Sequence, residues 1–303
     1  AQTAEHIKGL WHFDQTNTVD TTTTTTTADS SGHNNTGILD GTVAPVSGKW
    51  EHALGFNGGA NDYVDVQRTN DSLDLTGSLT LEGWIYPTAA DCEAATPSHP
   101  FYQTVVGKWG LSGHQAYWLG LYTDCTLRGE ISPNGSTTDF AEGGTVVPIN
   151  QWHHVAMVYD STSKTIRVYL DCVEDTASTS GSPAGVFNVT DRGVGIGGWN
   201  FPVGPPRGLF TGRIDEVRIW DRALSPEEIL SSAQAGLRAD WHFDDNLADS
   251  SGYGNIGTNH GATFADGPFA NFNDGASFDG TDQFISVEHS PTLDMTSAYT
   301  VEG

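Results

Sequence analysis

Val155-Ala156-Met157-Val158-Tyr159 and Ile166-Arg167-Val168-Tyr169-Leu170, with Asp160-Ser161-Thr162-Ser163 between them, decide the fold class. Apolar residues recur at every second position (Val155, Met157, Tyr159; Ile166, Val168, Leu170), the period of a half-buried strand. The polar residues between the runs supply a hairpin turn. Working outward, the same alternation passes through Leu79-Leu81-Gly83-Ile85, and Asn57-Gly58-Gly59 marks another turn. Such segments are antiparallel strands with one face to a core and one to solvent. Gly, Thr, Ser, Asn and Asp are plentiful and long Leu/Ala/Lys/Glu stretches are missing, so the chain reads as all-β. One helix is expected, after Leu224. Ser225 is a good N-cap, Pro226 fits the first helical position, and Glu227 and Glu228 meet the positive end of the helix dipole.

The chain also begins a second copy of itself. Trp11-His12-Phe13-Asp14 returns as Trp241-His242-Phe243-Asp244, and Asp29-Ser30-Ser31-Gly32 returns as Asp249-Ser250-Ser251-Gly252. Phe56-Asn57-Gly58 and Leu79-Thr80-Leu81-Glu82-Gly83 recur as Phe278-Asp279-Gly280 and Tyr299-Thr300-Val301-Glu302-Gly303. A period of about 220 to 230 residues makes each copy a whole domain. Residues 6–232 are read as one complete domain and 236–303 as the N-terminal part of a second, truncated one. The truncated copy is expected to be a fragment of a longer protein, or to be completed by strands from another chain. The second copy lacks the seven-threonine tract Thr21 to Thr27, which is therefore expected to be a solvated loop.

Charge narrows the partners. A formal charge of -25, with lysines only at 8, 49, 108 and 164, argues against nucleic acid and anionic membrane and favours cations. No apolar run is long enough to span a membrane. The start Ala1-Gln2-Thr3-Ala4 resembles that of a mature exported chain, and sequons at Asn34, Asn70, Asn134 and Asn188 fit a secreted or cell-surface location. Cys92 follows the strand from Leu79 to Tyr86, and Cys125 sits between the strands Tyr117 to Tyr122 and Leu127 to Ser132. With one strand, Thr104 to Lys108, between them, two reversals bring both cysteines to one end. The expected disulfide is Cys92–Cys125, leaving Cys172 over; three reduced thiols are the alternative.

Gly9-Leu10-Trp11-His12-Phe13-Asp14, Asp29-Ser30-Ser31-Gly32, Ala53-Leu54-Gly55-Phe56-Asn57-Gly58, Asp62-Tyr63-Val64, Trp152-His153-His154-Val155-Ala156 and Gly212-Arg213-Ile214-Asp215-Glu216-Val217-Arg218-Ile219-Trp220 together resemble the laminin-G-like domains of the concanavalin A-like jelly-roll superfamily. The likeness spans nearly all of residues 6–232 in order. It departs at Cys172, where such domains usually carry Gly in an Asp-Gly turn, and in the insert from Thr88 to Tyr102. The resemblance implies a two-sheet antiparallel β-sandwich whose first and last strands pair. Trp11, Trp84, Trp118, Trp152 and Trp220 are expected to fill the space between the sheets. His153 and His154 point to opposite faces of a strand and cannot share one ion; one packed and one exposed imidazole is expected.

If Ile7 to Phe13 pairs with Arg213 to Trp220, the loop Asp29 to Gly37 is carried toward Asp215. Carboxylates and turn carbonyls are hard oxygen ligands suited to Ca²⁺. Asp29, Asn35, Asp215, Asp14 and Asp62 are the candidate ligands of a structural calcium, which many relatives of the resembled fold hold. Turn-capping through their own backbone is the competing role for the same residues.

Three classes of function compete for this fold. Glycoside hydrolysis needs two carboxylates flanking the scissile bond; Glu130 stands alone on its strand, Glu82 is followed by Gly83 and Trp84, and no nucleophile elbow occurs. The chain is therefore expected not to be an enzyme. A binding or adhesion module comes first, recognising glycans or extracellular proteins, with Trp109 and Trp199, outside the obvious strands, as candidate contacts. A structural repeat of an extracellular adhesin, stalk or filament, assembled with copies of itself, is the alternative.

Overall fold

The computed structural model describes residues 6–13, 16–19, 24–50, 52–59, 61–88, 102–199 and 208–234, then 241, 243, 246–248, 255–266, 274–290 and 293. The chain divides into two compact units, Ala1–Ile229 and Leu230–Gly303. The strands of the first are β1 (Ile7–Trp11), β2 (Thr16–Val19), β3 (Thr24–Thr27), β4 (Gly37–Asp40), β5 (Ala44–Ser47), β6 (His52–Asn57), β7 (Tyr63–Val66), β8 (Leu79–Pro87) and β9 (Gln103–Lys108). They continue with β10 (Tyr117–Leu121), β11 (Thr126–Ile131), β12 (Asp139–Val146), β13 (His153–Asp160), β14 (Thr165–Leu170), β15 (Val173–Glu174), β16 (Thr176–Ser180), β17 (Val194–Ile196) and β18 (Thr211–Trp220).

These strands form two antiparallel sheets. Sheet 1 runs β15-β14-β13-β8-β18-β6-β5, with β1 added on β18; sheet 2 runs β16-β12-β11-β10-β9-β17-β7-β4-β3-β2. The first strand pairs with the last as the resemblance implies, Trp11 opposite Val217. Alternation puts Leu81, Ile85, Val155, Met157, Val168 and Ile219 of sheet 1 against Leu119, Leu121, Leu127, Ile131, Val64 and Ile196 of sheet 2 in one continuous core. The architecture is a jelly-roll β-sandwich.

Helix α1 (Pro226–Ala233) starts in a capping box: the Glu228 amide donates to Ser225 Oγ at 3.3 Å and the Ser225 amide to Glu228 Oε2 at 3.0 Å. Ile229 and Leu224 lie in a second, smaller cluster with Ala156, Val158, Tyr169 and Trp220, on the outward side of sheet 1.

Several readings change. Four of the seven threonines in the tract, Thr24–Thr27, are strand: Thr26 pairs with Ile38 and Thr27 with Gly37, and both of these are buried. β-branched side chains fit a pleated surface, and Gly37, which has no Cβ to collide with Val64 and Thr27, leaves them room. Thr21 to Thr23 lie outside the described residues. Of the five tryptophans assigned to the space between the sheets, only Trp11 belongs to that core. Trp220 packs with the α1 cluster, Trp118 is buried on the outward face of sheet 2, and Trp84 and Trp152 are partly exposed. Alternation fixes that two faces exist but not which of them is covered. His153 and His154 are both buried, because Asp171 receives one and Trp84 and Glu82 enclose the other.

In the second unit, β19 (Gly257–His260) pairs with β22 (Phe284–Val287) and β20 (Thr263–Asp266) with β21 (Asp274–Ser277). Details of the first unit recur. Trp241 Nε1 donates to the Asn255 carbonyl at 2.8 Å, as Trp11 Nε1 does to that of Asn35, and Phe13 and Phe243 share a φ of 62°. Gly257 faces Val287 as Gly37 faces Val66. One property does not recur: Phe56 is 2% exposed and its counterpart Phe278 is 49% exposed.

Candidate functional site

The outward face of sheet 2 carries two rows of side chains across four strands. Gly107, Trp118, Glu130 and Phe140 stand opposite one another in the first; Thr104, Gly120, Arg128 and Glu142 in the second. The glycines are what let the tryptophan lie down. A Cβ on Gly120 would come within 2.4 Å of the Trp118 ring and one on Gly107 within 2.8 Å, so the indole covers both backbones. Its Nε1 donates to Thr104 Oγ1 at 3.0 Å, and it is 1% exposed.

Half-buried rings stand on this floor. The Tyr102 ring is 5.1 Å from Trp118, 5.4 Å from Tyr122 and 5.9 Å from Trp199. Beside them the Arg128 guanidinium lies 3.6 Å from the Phe140 ring centroid and 4.5 Å from that of Tyr122. Its Nε donates to Glu130 Oε1 at 2.6 Å and its Nη1 to Glu142 Oε2 at 2.8 Å. Two carboxylates thus share one cation. Burial raises the Glu130 pKa, Arg128 pulls it back, and the charge of Glu142 adds to the rise. Burial, with the nearby Glu130 charge, pushes Tyr102 up to about 12, so its hydroxyl is a neutral donor and acceptor at neutral pH. Flat rings beside fixed hydrogen-bonding groups suit a ligand with an apolar face and a hydroxylated rim.

Of the two tryptophans expected to contact a ligand, Trp199 joins this face. Trp109 is 4% exposed and offers no open ring. Sequence reasoning missed Tyr102, Tyr122, Arg128, Phe140 and Glu142. The signal was the alternation in Thr126 to Ile131, which puts Arg128 and Glu130 on one side and Leu127 and Ile131 on the other.

The candidate calcium ligands go elsewhere. Asp29 accepts from the Leu10 amide (3.0 Å), the Ser31 amide (2.9 Å), Ser31 Oγ (2.8 Å) and the Asn35 amide (2.8 Å). Leu10 turns both its amide and its carbonyl toward residues 29 and 30, so β1 lies between this loop and β18, and Asp29 and Asp215 do not converge. Asp215 accepts from the Lys49, Trp50 and Glu216 amides. Asp62 ties Thr42 to the turn at Asn57 and Gly59. Asn35 joins Lys8 to Ser72 and Asn70. Asp14 lies outside the described residues. Among the described residues no three His, Cys, Asp or Glu side chains gather where they could hold a metal. Their donors show them bracing turns.

Cys172 is a free thiol 3.8 Å from His154 Nδ1, in a turn where Asp171 and Cys172 have φ of 49° and 65°. This is the left-handed conformation that Gly adopts most readily, in keeping with the Asp-Gly turn that the resemblance implies there. Burial first, then the charges of Glu82 and Asp171, push its thiol up to about 12. Cys125, φ 62°, sits at the tip between β10 and β11; Cys92 lies outside the described residues.

Comparison with known proteins supplies the family. A laminin G family model, described as Concanavalin A-like lectin/glucanases superfamily, matches residues 57–230, more than half of the chain. The chain belongs to this superfamily. C-reactive protein of Xenopus laevis is 27% identical over 103 residues, which are 32% of this chain and 40% of that protein, so the match spans less than half the relative's length. Domain 4 of AbnA, an extracellular arabinanase of Geobacillus stearothermophilus solved in complex with arabinotriose, superposes with TM-score 0.50 at 22% identity, covering 75% of this chain and 98% of that domain. The binding domain of Paraclostridial Mosquitocidal Protein 1 gives TM-score 0.54 at 13% identity, covering 99% of this chain and 74% of that one. At these identities the solved structures show the shared fold. No helix among the described residues is long and apolar enough to cross a membrane.

Proposed function

We propose that the first unit is a non-catalytic, extracellular binding module that holds a glycan on the outward face of sheet 2. The observation that carries this is the group of half-buried rings, Tyr102, Tyr122 and Trp199, beside the Arg128, Glu130 and Glu142 network. The rings stack on a pyranose or furanose face, and the Glu142 carboxylate and Tyr102 hydroxyl take hydroxyls at its rim. Support comes from the family, and from a relative of this fold solved with a bound oligosaccharide. A Cys92–Cys125 disulfide belongs to the same extracellular reading, and peptide mapping without reductant checks it. A glycan array, read in calcium and in chelator, tests the function. Specific retention of a saccharide class is the expected result; silence across the array in both conditions contradicts it.

A second reading, a repeat of an extracellular adhesin, stalk or filament, is favoured by one observation. The second unit repeats the first unit's bonds yet leaves Phe278, Phe284 and Ile256 open. Strands from another copy would cover them. Size-exclusion chromatography over a concentration series separates the readings: a concentration-dependent oligomer supports assembly, and a monomer throughout excludes it.

A further inference from the structure

The outward face of sheet 1 carries a second, independent aromatic patch. Trp84 and Tyr86 alternate outward on β8, directly opposite Asp215 and Arg213 of β18. Trp50 meets Trp84 edge to face at 6.4 Å, and Trp152 meets Tyr86 at 5.5 Å. Asp215 fixes the loop above them by accepting the Lys49 and Trp50 amides, and Gly48 is needed there because a Cβ would sit 2.7 Å from Asp215 Oδ2. The loop sets Lys49 Nζ 4.5 Å from the Trp84 ring centroid, and the Arg213 guanidinium lies 4.9 Å from that of Tyr86. All six side chains of the patch are partly exposed.

The charges are unusual for this chain. It carries a formal charge of -25, and the other described lysines and arginines, Lys164 apart, lie within ion-pair distance of a carboxylate. Among the described residues Lys49 and Arg213 make no such pair, and both stand on this patch. In a chain so rich in acids, two cations fixed on aromatic rings without a carboxylate are complementary to an anion brought from outside. Trp152, at the end of the ring series and with no cation over it among the described residues, offers a surface for a sugar ring. We propose that this face binds an acidic saccharide, its carboxylate or sulfate on Lys49 and Arg213 and its ring on Trp152.

Affinity electrophoresis of the full chain, at about 0.15 M salt so that the Debye length of about 8 Å screens the overall charge, tests this with four polymers: polygalacturonate, dextran sulfate, dextran and polyphosphate. Retardation by polygalacturonate, dextran sulfate or both is expected, and which of them retards identifies carboxylate or sulfate as the anion. The variant Lys49→Gln/Arg213→Gln is expected to weaken it about tenfold or more, as is Trp152→Ala, while Lys164→Gln, which removes a cation that is not on this patch, leaves it unchanged. Far-UV circular dichroism checks that each variant is folded. Equal retardation by dextran or polyphosphate, none by either acidic polysaccharide, or full retention in the folded double variant overturns the proposal.

Discussion

Asp215→Ala is expected to lower the stability of the first unit by about 3 to 5 kcal/mol, by the same amount in calcium and in chelator. The carboxylate is fully buried and accepts three backbone amides, from Lys49, Trp50 and Glu216. Removing it leaves those donors without an acceptor, at about 1 to 3 kcal/mol for each that stays buried. Relaxation of loop 48–50 into water sets the upper bound. A calcium ligand behaves differently: wild type alone would gain from the ion, by mass action on the folded state. Thermal and urea unfolding of both proteins, each with calcium and with chelator, separate the two. A calcium-dependent gain in wild type that Asp215→Ala abolishes would make this residue a ligand. The same pair of conditions applied to Asp29→Ala tests the loop at 28–36.

The second large effect lies on the opposite sheet. Arg128→Met removes the cation shared by Glu130 and Glu142 and leaves Glu130, 4% exposed, without its ion pair. Breaking a buried pair from one side costs about 3 to 5 kcal/mol at neutral pH. The pH dependence follows from the direction of the Glu130 shift. Its folded pKa lies above the ordinary 4.5, and loss of Arg128 raises it further. A carboxyl that binds its proton more tightly when folded contributes stability that is complete below its unfolded pKa and is lost as the pH rises through its folded pKa. The variant is therefore expected near wild-type stability around pH 4 and progressively weaker toward pH 7. Adding Glu130→Gln should flatten the profile. Urea unfolding at fixed pH steps reads this directly; a deficit independent of pH would mean that packing against Phe140 and Tyr122 is the larger loss.

The fold was largely legible because period-two alternation and turn chemistry are local signals. Val155 to Leu170 and Leu79 to Ile85 became β13, β14 and β8, and Ser225-Pro226 began α1. What alternation could not say is which side of each sheet is covered. Trp84 and Trp152 read as core for that reason, although they sit on the outward face of sheet 1. The threonine tract misled in the opposite direction: its absence from the second copy marks it as dispensable to the repeat, yet Thr26 and Thr27 extend sheet 2 beyond β4. Trp199 was visible as a tryptophan between glycine and asparagine, away from any strand. Its neighbours were not, since Tyr102, Tyr122 and Arg128 meet through cross-strand register and through glycines at 107 and 120 that let Trp118 lie flat. Register is a long-range property that a short window of sequence does not hold.

If the outward face of sheet 2 binds ligand, its half-buried tryptophan carries part of the affinity. Calorimetric titration of the saccharide selected by the array, on wild type, Trp199→Ala and Trp109→Phe, tests it most directly. Stacking on an aromatic ring is worth up to about 1.4 kcal/mol, which is about tenfold in Kd. Trp199→Ala should therefore bind about tenfold more weakly, and Trp109→Phe, altered only in a buried ring, should keep wild-type affinity. Undiminished binding by a folded Trp199→Ala would contradict the claim.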